Sequence, residues 1–440
     1  MKYFKISGGK KLSGKIAVNG SKNAAVALFA AAMINKGKTT LRNVPQIEEV
    51  NRWVEVLESI GVRVERQEKT ITLTPPAKIE IENINKEAAQ KTRSAIMLIS
   101  ALAKNSKKYL IPQAGGCKLG ARTIKPHLFV VEKFGININV TEEGFEVDAQ
   151  NFKAADKVVL YESGDTVTET ALIAAAQIPA KTIIKMATAN YMVQDVCFFL
   201  EKLGVKIKGI GNGTLEVTGL AEINQDVVYE ISEDPIEAMF FISSAIVTES
   251  NLIIERCPIE FLELELLKLE KMGQQYKILK EYKARNEKTN LVDLEIIPSK
   301  LSAPEDKIHG LPFPGINMDN LPFFVPIVSL AAGRTLIHDW CFENRAIYFL
   351  DLNRLGAKIT LLDPHRVYVE GPVAFKAAEM MSPPALRPAA IILVAMLAAP
   401  GNSVLRDVYS INRGYENLEE RLRSIGADIE LKDDEASLEI

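Results

Sequence analysis

The sequence predicts an α/β protein built as two three-fold domains, with helices inside and sheets outside. Three observations carry this. The chain repeats itself with a period near 70 residues, each copy contains one stretch that is apolar on every face, and each copy ends a second, amphipathic helix on a glycine followed by an alternating strand. The glycines are Gly61, Gly135, Gly204, Gly273, Gly356 and Gly426, spaced by 74, 69, 69, 83 and 70 residues. A repeat of this kind governs the whole architecture, so it is read before any local feature.

Within each unit the elements follow in order. The apolar stretches begin at Ala24, Ser94, Thr170, Ala238, Phe323 and Pro388, and a helix apolar all round is buried all round. A short polar turn and a strand come next, from KTTLRNV in the first unit to NSVLRDV in the last. The amphipathic helix then closes on its glycine, the residue that best tolerates the left-handed C-terminal position. Period-two alternation follows, as in VRVER after Gly61, often with a hairpin partner such as Thr70 to Thr74. Six inner and six outer helices fit two three-fold domains. A six-bladed ring fits less well because propeller blades are all β, and a solenoid would use shorter units, usually 20–50 residues. The split falls after the third unit, at the polar, proline-containing segment Tyr229 to Pro235, giving domains 20–229 and 1–19 with 230–440. The strand-like Met1 to Val18 is left over and would complete the last unit, so that the chain crosses between domains twice.

Composition narrows the function. A chain of 440 residues holds two or three domains. Lys plus Arg number 53 against 56 Asp plus Glu, a net charge of −3 that makes no case for a nucleic-acid binder. The cysteines Cys117, Cys197, Cys257 and Cys341 form no CxxC, and the four histidines form no HExxH, so no metal site is expected. The N-terminus lacks a signal peptide's apolar core, and the longest apolar run, Ala389 to Pro400, is too short to span a membrane. The expectation is a soluble cytoplasmic protein with no membrane partner.

Chemistry collects in two loop sets. Lys22, Arg93 and Arg387 stand at or just before the starts of buried helices. The partial positive charge of a helix N-terminus repels a cation, so the placement makes sense when an anion lies between them. In the second set, Arg345 and Arg413 recur at equivalent places in units five and six, each after an Asn. Such convergence points to one multiply charged anion, for instance phosphate plus carboxylate. Cys117 lies in a glycine-rich loop beside Lys118 and Arg122, where cations lower a thiol's pKa. Cys197 and Cys257 read as buried apolar residues. Neither GxGxxG nor GxxxxGK[ST] occurs.

With these residues in view, the chain resembles the UDP-N-acetylglucosamine enolpyruvyl transferases, and more distantly the 5-enolpyruvylshikimate-3-phosphate synthases. The matching segments are VNGSKNAAV at 18–26, GGCKLGAR at 115–122, LPFPGINMD at 311–319, FENR at 342–345 and INRGYENLEERLRSIGADIE at 411–430. The resemblance implies an inside-out α/β barrel fold of two three-repeat domains around a closing cleft. It also implies transfer of the enolpyruvyl group from phosphoenolpyruvate to a sugar-nucleotide hydroxyl with release of phosphate, the first committed step of peptidoglycan synthesis, without metal or organic cofactor. By matching position, Lys22, Arg122 and Arg413 would hold the phosphate, and Arg345 and Arg387 the carboxylate. Asn23 and Asp319 would face the acceptor hydroxyl, with Asp319 as general base. Cys117 would be the general acid and the residue that fosfomycin alkylates, while Arg93 and Cys341 would line the sugar-nucleotide side. A monomer or weak homo-oligomer, with no nucleic-acid partner, is implied.

Departures fall on the acceptor side. The family's Pro-Val-Asp-Leu is Thr123-Ile124-Lys125-Pro126 here, its Ser-Val-Gly-Ala-Thr corresponds to Gly164-Asp165-Thr166-Val167-Thr168, the Thr before the base is Met318, and an Asp two residues before Arg387 is Ala385. These changes leave two alternatives beside the first reading: an enolpyruvyl transferase with another nucleotide or sugar acceptor, or a catalytically weak regulatory paralogue.

Overall fold

The computed structural model describes residues 1–113 and 123–433, so the loop carrying Cys117, Lys118 and Arg122 lies outside the described residues. The apolar stretches form buried helices: Lys22–Ala32, Arg93–Met97 continuing as Leu98–Ala101, Asp165–Ala176, Pro235–Val247, Leu321–Phe323 continuing as Phe324–Leu330, and Leu386–Ala398. In Pro235–Val247 every residue is buried, the signature of a helix packed on all faces. The second and fifth begin as 3-10 turns. In the fifth, Pro322 and Pro326 each lack the N–H that a regular helix uses.

The outer helices are Glu48–Ser59, Lys125–Lys133, Tyr191–Lys202, Glu263–Lys271, Ala346–Leu355 and Leu418–Ser424. Each leads to its expected glycine, with φ of 91, 76, 90, 99, 91 and 95° from Gly61 to Gly426. Only glycine takes these angles without strain. Ala346–Leu355 is a 3-10 helix along its length, a departure that nothing in its sequence explains.

Strands pair as the repeat implies. In the first unit Thr39–Arg42 pairs antiparallel with Thr70–Thr74, which pairs with Arg63–Gln67. The repeat pattern did not reveal a short parallel strand on the opposite edge: Lys157–Val159 beside Lys181–Lys185, Ile308–His309 beside Gly333–His338, and Glu379–Met381 beside Gly401–Arg406. With two or three residues each, these strands are too short for alternation to be visible. In two units this strand is exchanged. Val227–Glu230, which leads into the fourth buried helix, pairs with Thr39–Arg42 of the first unit, and Lys15–Ala17, which leads into the first buried helix, pairs with Leu252–Cys257 of the fourth. Lys2–Gly8 lies between Gly401–Arg406 and Asp428–Asp433, so the leftover N-terminus does complete the last unit.

The result is a mixed α/β molecule with a two-domain arrangement and two hydrophobic cores. One gathers buried residues from Ala24 to Ile231 together with Phe261, the other Phe4 to Val18 with Ile236 to Ile429. The segments that follow the two exchanged strands lie side by side where the chain passes between the cores. Gly20 bridges Glu233 in antiparallel fashion, Ser21 N donates to Ser232 O at 2.8 Å, and Asp234 N donates to Asn19 O at 2.9 Å. A Cβ on Gly20 would lie 1.7 Å from the carbonyl oxygen of Asn43, so this crossing admits no side chain. Gly20→Ala is expected to destabilise the protein by about 1–3 kcal/mol, the cost of overpacking, read as a lower denaturation midpoint in urea.

Candidate active site

The starts of the buried helices bring the site together. Ser21 caps its helix by accepting from Ala24 N and leaves Lys22 as the first helical residue. Arg387 is the second residue of Leu386–Ala398, a helix without a side-chain N-cap. Asp319 directly precedes Asn320, the N-cap of the fifth buried helix, and its backbone is fixed by donating from N to Asn317 Oδ1 at 2.9 Å.

Asp319 is the hub. Its Oδ1 lies 3.4 Å from Arg345 Nη1 and its Oδ2 lies 3.3 Å from Arg387 Nη2. Burial pushes its carboxyl up, but Arg387, Arg345 and Lys22 outweigh that and hold it below the ordinary aspartate value. Burial lowers the Arg387 guanidinium's proton affinity, yet Asp319, Tyr415, Asp234 and Tyr191 raise it further, so Arg387 stays charged. Lys22 is shifted down, chiefly by burial and also by Arg387 and Arg413, against the opposing pull of Glu49 and Asp319.

The five described members of the expected phosphoenolpyruvate and base set therefore meet in one place, but Arg345 and Arg413 are not equivalent. Arg345 is 1 % exposed. Its Nη2 donates to Asp339 Oδ1 at 3.0 Å and to Met318 O, its Nε donates to Asp339 Oδ2, and its guanidinium stacks 3.9 Å from the Phe342 ring centroid. Such a two-toothed carboxylate contact fixes the plane of the fork. Arg413 is partly exposed, and its Nε lies 3.2 Å from Glu49 Oε2, a residue of the other core.

The acceptor set is more dispersed. Asn23 Nδ2 donates to Tyr191 OH at 3.4 Å, and Arg93 Nη2 donates to Thr123 O at 3.3 Å. Cys341 is exposed, while Cys197 and Cys257 are buried and their thiols are pushed well up by burial. Lys125 is exposed at the start of its helix. Asp165 is held by Thr188 Oγ1 at 3.0 Å and Asn190 Nδ2 at 3.2 Å, and burial raises its pKa to about 6, with Asp319 adding to the rise. Ala385 is 1 % exposed and packs with Phe342, Met318 and Tyr348. Cys117 and Arg122 fall outside the described residues.

Sequence reasoning missed four residues that complete the site. Asp234 caps the fourth buried helix and accepts from Lys22 N at 3.4 Å. The Asp-Pro pair at 234–235 was its signal, since Pro favours the first helical position after a capping Asp. Tyr415 accepts from Arg387 Nη1 at 3.1 Å and stood in plain view two residues after Arg413. Glu49 and Asp339 had no signal, because only folding brings them to their arginines. Asp339→Ala would leave the buried Arg345 charge uncompensated, so a loss of about 3–5 kcal/mol of stability is expected. Denaturant titration at neutral pH is the check.

Known proteins place this arrangement. The family model for EPSP synthase (3-phosphoshikimate 1-carboxyvinyltransferase) matches residues 6–422. The UDP-N-acetylglucosamine 1-carboxyvinyltransferase of Treponema denticola is 32% identical over 443 residues, covering 98% of this chain and 100% of that protein. That of Bradyrhizobium diazoefficiens is 32% identical over 432 residues, covering 96% of each. Among solved structures, the enolpyruvyl transferase NikO from Streptomyces tendae superposes with a TM-score of 0.84 at 23% identity, covering 98% of this chain and 99% of that one. EPSP synthase from Acinetobacter baumannii gives 0.76 at 19% identity, with 98% and 100% covered. By family model and by relatives that match along nearly its whole length, the chain belongs to the EPSP synthase (3-phosphoshikimate 1-carboxyvinyltransferase) family of enolpyruvyl transferases.

Proposed function

We propose that the protein transfers the enolpyruvyl group of phosphoenolpyruvate to a hydroxyl of UDP-N-acetylglucosamine and releases phosphate, the first committed step of peptidoglycan synthesis. The observation that carries this reading is Asp319 shared between Arg345 and Arg387, with Lys22 and Arg413 in electrostatic reach of the same cleft. A small molecule with a phosphate and a carboxylate is the ligand such a cluster suits. In this reading Lys22, Arg122 and Arg413 hold the phosphate and Arg345 and Arg387 the carboxylate. Asn23 and Asp319 face the acceptor, and Arg93 and Cys341 line its nucleotide side. The fold is read as an inside-out α/β barrel in two domains, 20–229 and 1–19 with 230–440. The enzyme works in the cytoplasm as a monomer or weak homo-oligomer, without metal, cofactor, nucleic acid or membrane. Among the described residues no helix is long and apolar enough to cross a membrane.

The electrostatics give Asp319 a substrate-dependent role. Its arginines depress its proton affinity, which makes it a weak base. A phosphoenolpyruvate carboxylate taking up Arg345 and Arg387 relieves that depression, and the carboxyl becomes a better acceptor for the hydroxyl proton at the moment it is needed. Cys117 then supplies the proton to C3 as the acceptor oxygen bonds to C2. A second reading, in which the acceptor is another sugar or nucleotide, is favoured by Asp165, a carboxylate in reach of Asp319 that would repel a diphosphate.

Phosphate release from phosphoenolpyruvate against a panel of UDP-sugars, free nucleotides and shikimate 3-phosphate separates these readings. Turnover with UDP-N-acetylglucosamine at about 1 s⁻¹ or faster supports the first, and turnover confined to other acceptors overturns it. Arg387→Ala is expected to weaken phosphoenolpyruvate binding roughly ten- to hundredfold, the usual worth of a charge-assisted contact, by calorimetry with acceptor present. Fosfomycin should add to Cys117 and spare the buried Cys197 and Cys257 and the exposed Cys341 alike, as read by peptide mass spectrometry. An adduct on Cys341 alone would show that exposure, and not the cation-flanked loop, governs reactivity.

A further inference from the structure

Glu49 is the second residue of the helix Glu48–Ser59 in the first core, and Arg413 comes from the second core. Their contact at 3.2 Å has an unusual construction. One oxygen of Glu49 is firmly held. Thr92 Oγ1 donates to Oε1 at 2.7 Å, Thr92 Oγ1 lies 2.9 Å from Ser94 Oγ, and Ser94 Oγ accepts from Trp53 Nε1 at 2.7 Å. Among the described residues the other oxygen, Oε2, finds no hydrogen-bond partner, and neither does Arg413 Nε. The charges are close but misaligned. Glu49 also exerts the strongest pull of any carboxylate on the Lys22 ammonium. It therefore faces two of the cations read as phosphate ligands, from a carboxylate only 6 % exposed.

The loop that carries Arg413 is seated without this pair. Glu416 accepts from Gln46 N at 3.0 Å and pairs with Lys69 at 2.9 Å, both across the cleft. The Arg413 side chain can leave Glu49 while its backbone keeps its place. Thr92 prevents the carboxylate from following.

We propose that Glu49 competes with the substrate's phosphate for Arg413, so that an incoming phosphate must displace this contact in order to bind. A dianion offers Arg413 and Lys22 more charge and well-directed acceptor oxygens, which a misaligned carboxylate cannot match. The inference rests on the reading of Lys22 and Arg413 as phosphate ligands.

Calorimetric titration of the full chain with inorganic phosphate, phosphoenolpyruvate and pyruvate tests it. Glu49→Gln, which keeps the shape and the Thr92 contact, should bind phosphate about fivefold more tightly, the scale of a partly exposed ion pair. Pyruvate, whose carboxylate is read onto Arg345 and Arg387, should gain less, so the preference for phosphate widens. In an Arg413→Ala background the same change should bring little or no gain, because the two residues act through one contact. Glu49→Asp, which retracts the charge from Arg413, should move affinity in the same direction by less, and serves if the Gln variant folds poorly. Phosphate affinity that is unchanged or weaker in both variants, with an unaltered melting temperature, overturns the proposal while leaving the phosphate site intact. Phosphoenolpyruvate affinity unchanged by Arg413→Ala overturns the phosphate site itself, and the proposal with it.

Discussion

The cleft must keep several cations charged, in a largely desolvated place, before any substrate anion arrives. Lys22 and Arg387 sit at helix N-termini, whose partial positive charge adds to their mutual repulsion, and Arg345 is almost wholly buried. An uncompensated buried charge costs several kcal/mol, so the site carries its own anions. Asp339 neutralises Arg345, Asp319 bridges Arg345 and Arg387, and Glu49 faces Arg413 and Lys22. These carboxylates differ in how firmly they are committed. Asp339 is locked in a two-toothed contact, Asp319 is shared and partly open, and Glu49 meets its arginine out of alignment. The gradation matches the work each is assigned: positioning, proton acceptance and displacement.

That cluster exists because of the strand exchange between the two cores. Lys15–Ala17 and Val227–Glu230 each pair in one core and then lead into a helix of the other, so their crossing at Gly20 and Glu233 lies directly beside Lys22 and Asp234. The helix that starts at Lys22 thus begins at the joint, and so does the helix that Asp234 caps. The two connections run antiparallel where they cross, so the two helix starts are tied to each other through backbone hydrogen bonds. Arg413 and Glu416, in contrast, reach across to Glu49, Gln46 and Lys69 from the far core.

Asp165, Lys125 and Ala385, read from the sequence as departures on the acceptor side, sit in three different settings. Asp165 occupies the first turn of its helix, a favourable place for a carboxylate, and is further held by Thr188 and Asn190. It is a half-buried side chain fixed by two hydrogen bonds. Lys125 is exposed at its helix start. Ala385 leaves Arg387 to Asp319 and Tyr415, and the space fills with an apolar contact among Phe342, Met318 and Tyr348.

The six-fold repeat, the buried and amphipathic helices, the left-handed glycines and the two-part α/β architecture were all legible in the amino-acid sequence, because each rests on local periodicity or on the conformational freedom of one residue type. Lys22, Asp319, Arg345, Arg387 and Arg413 were legible as site candidates because they recur at equivalent ends of the repeat and match the family's motifs. The short parallel strands, the partners Glu49 and Asp339, and the different environments of Arg345 and Arg413 belonged to the tertiary structure alone. The physical reason is that an ion pair or an edge strand depends on which distant segment packs alongside. Two arginines in equivalent places of a repeat therefore become a buried, fixed fork in one unit and a displaceable, cleft-spanning contact in the next.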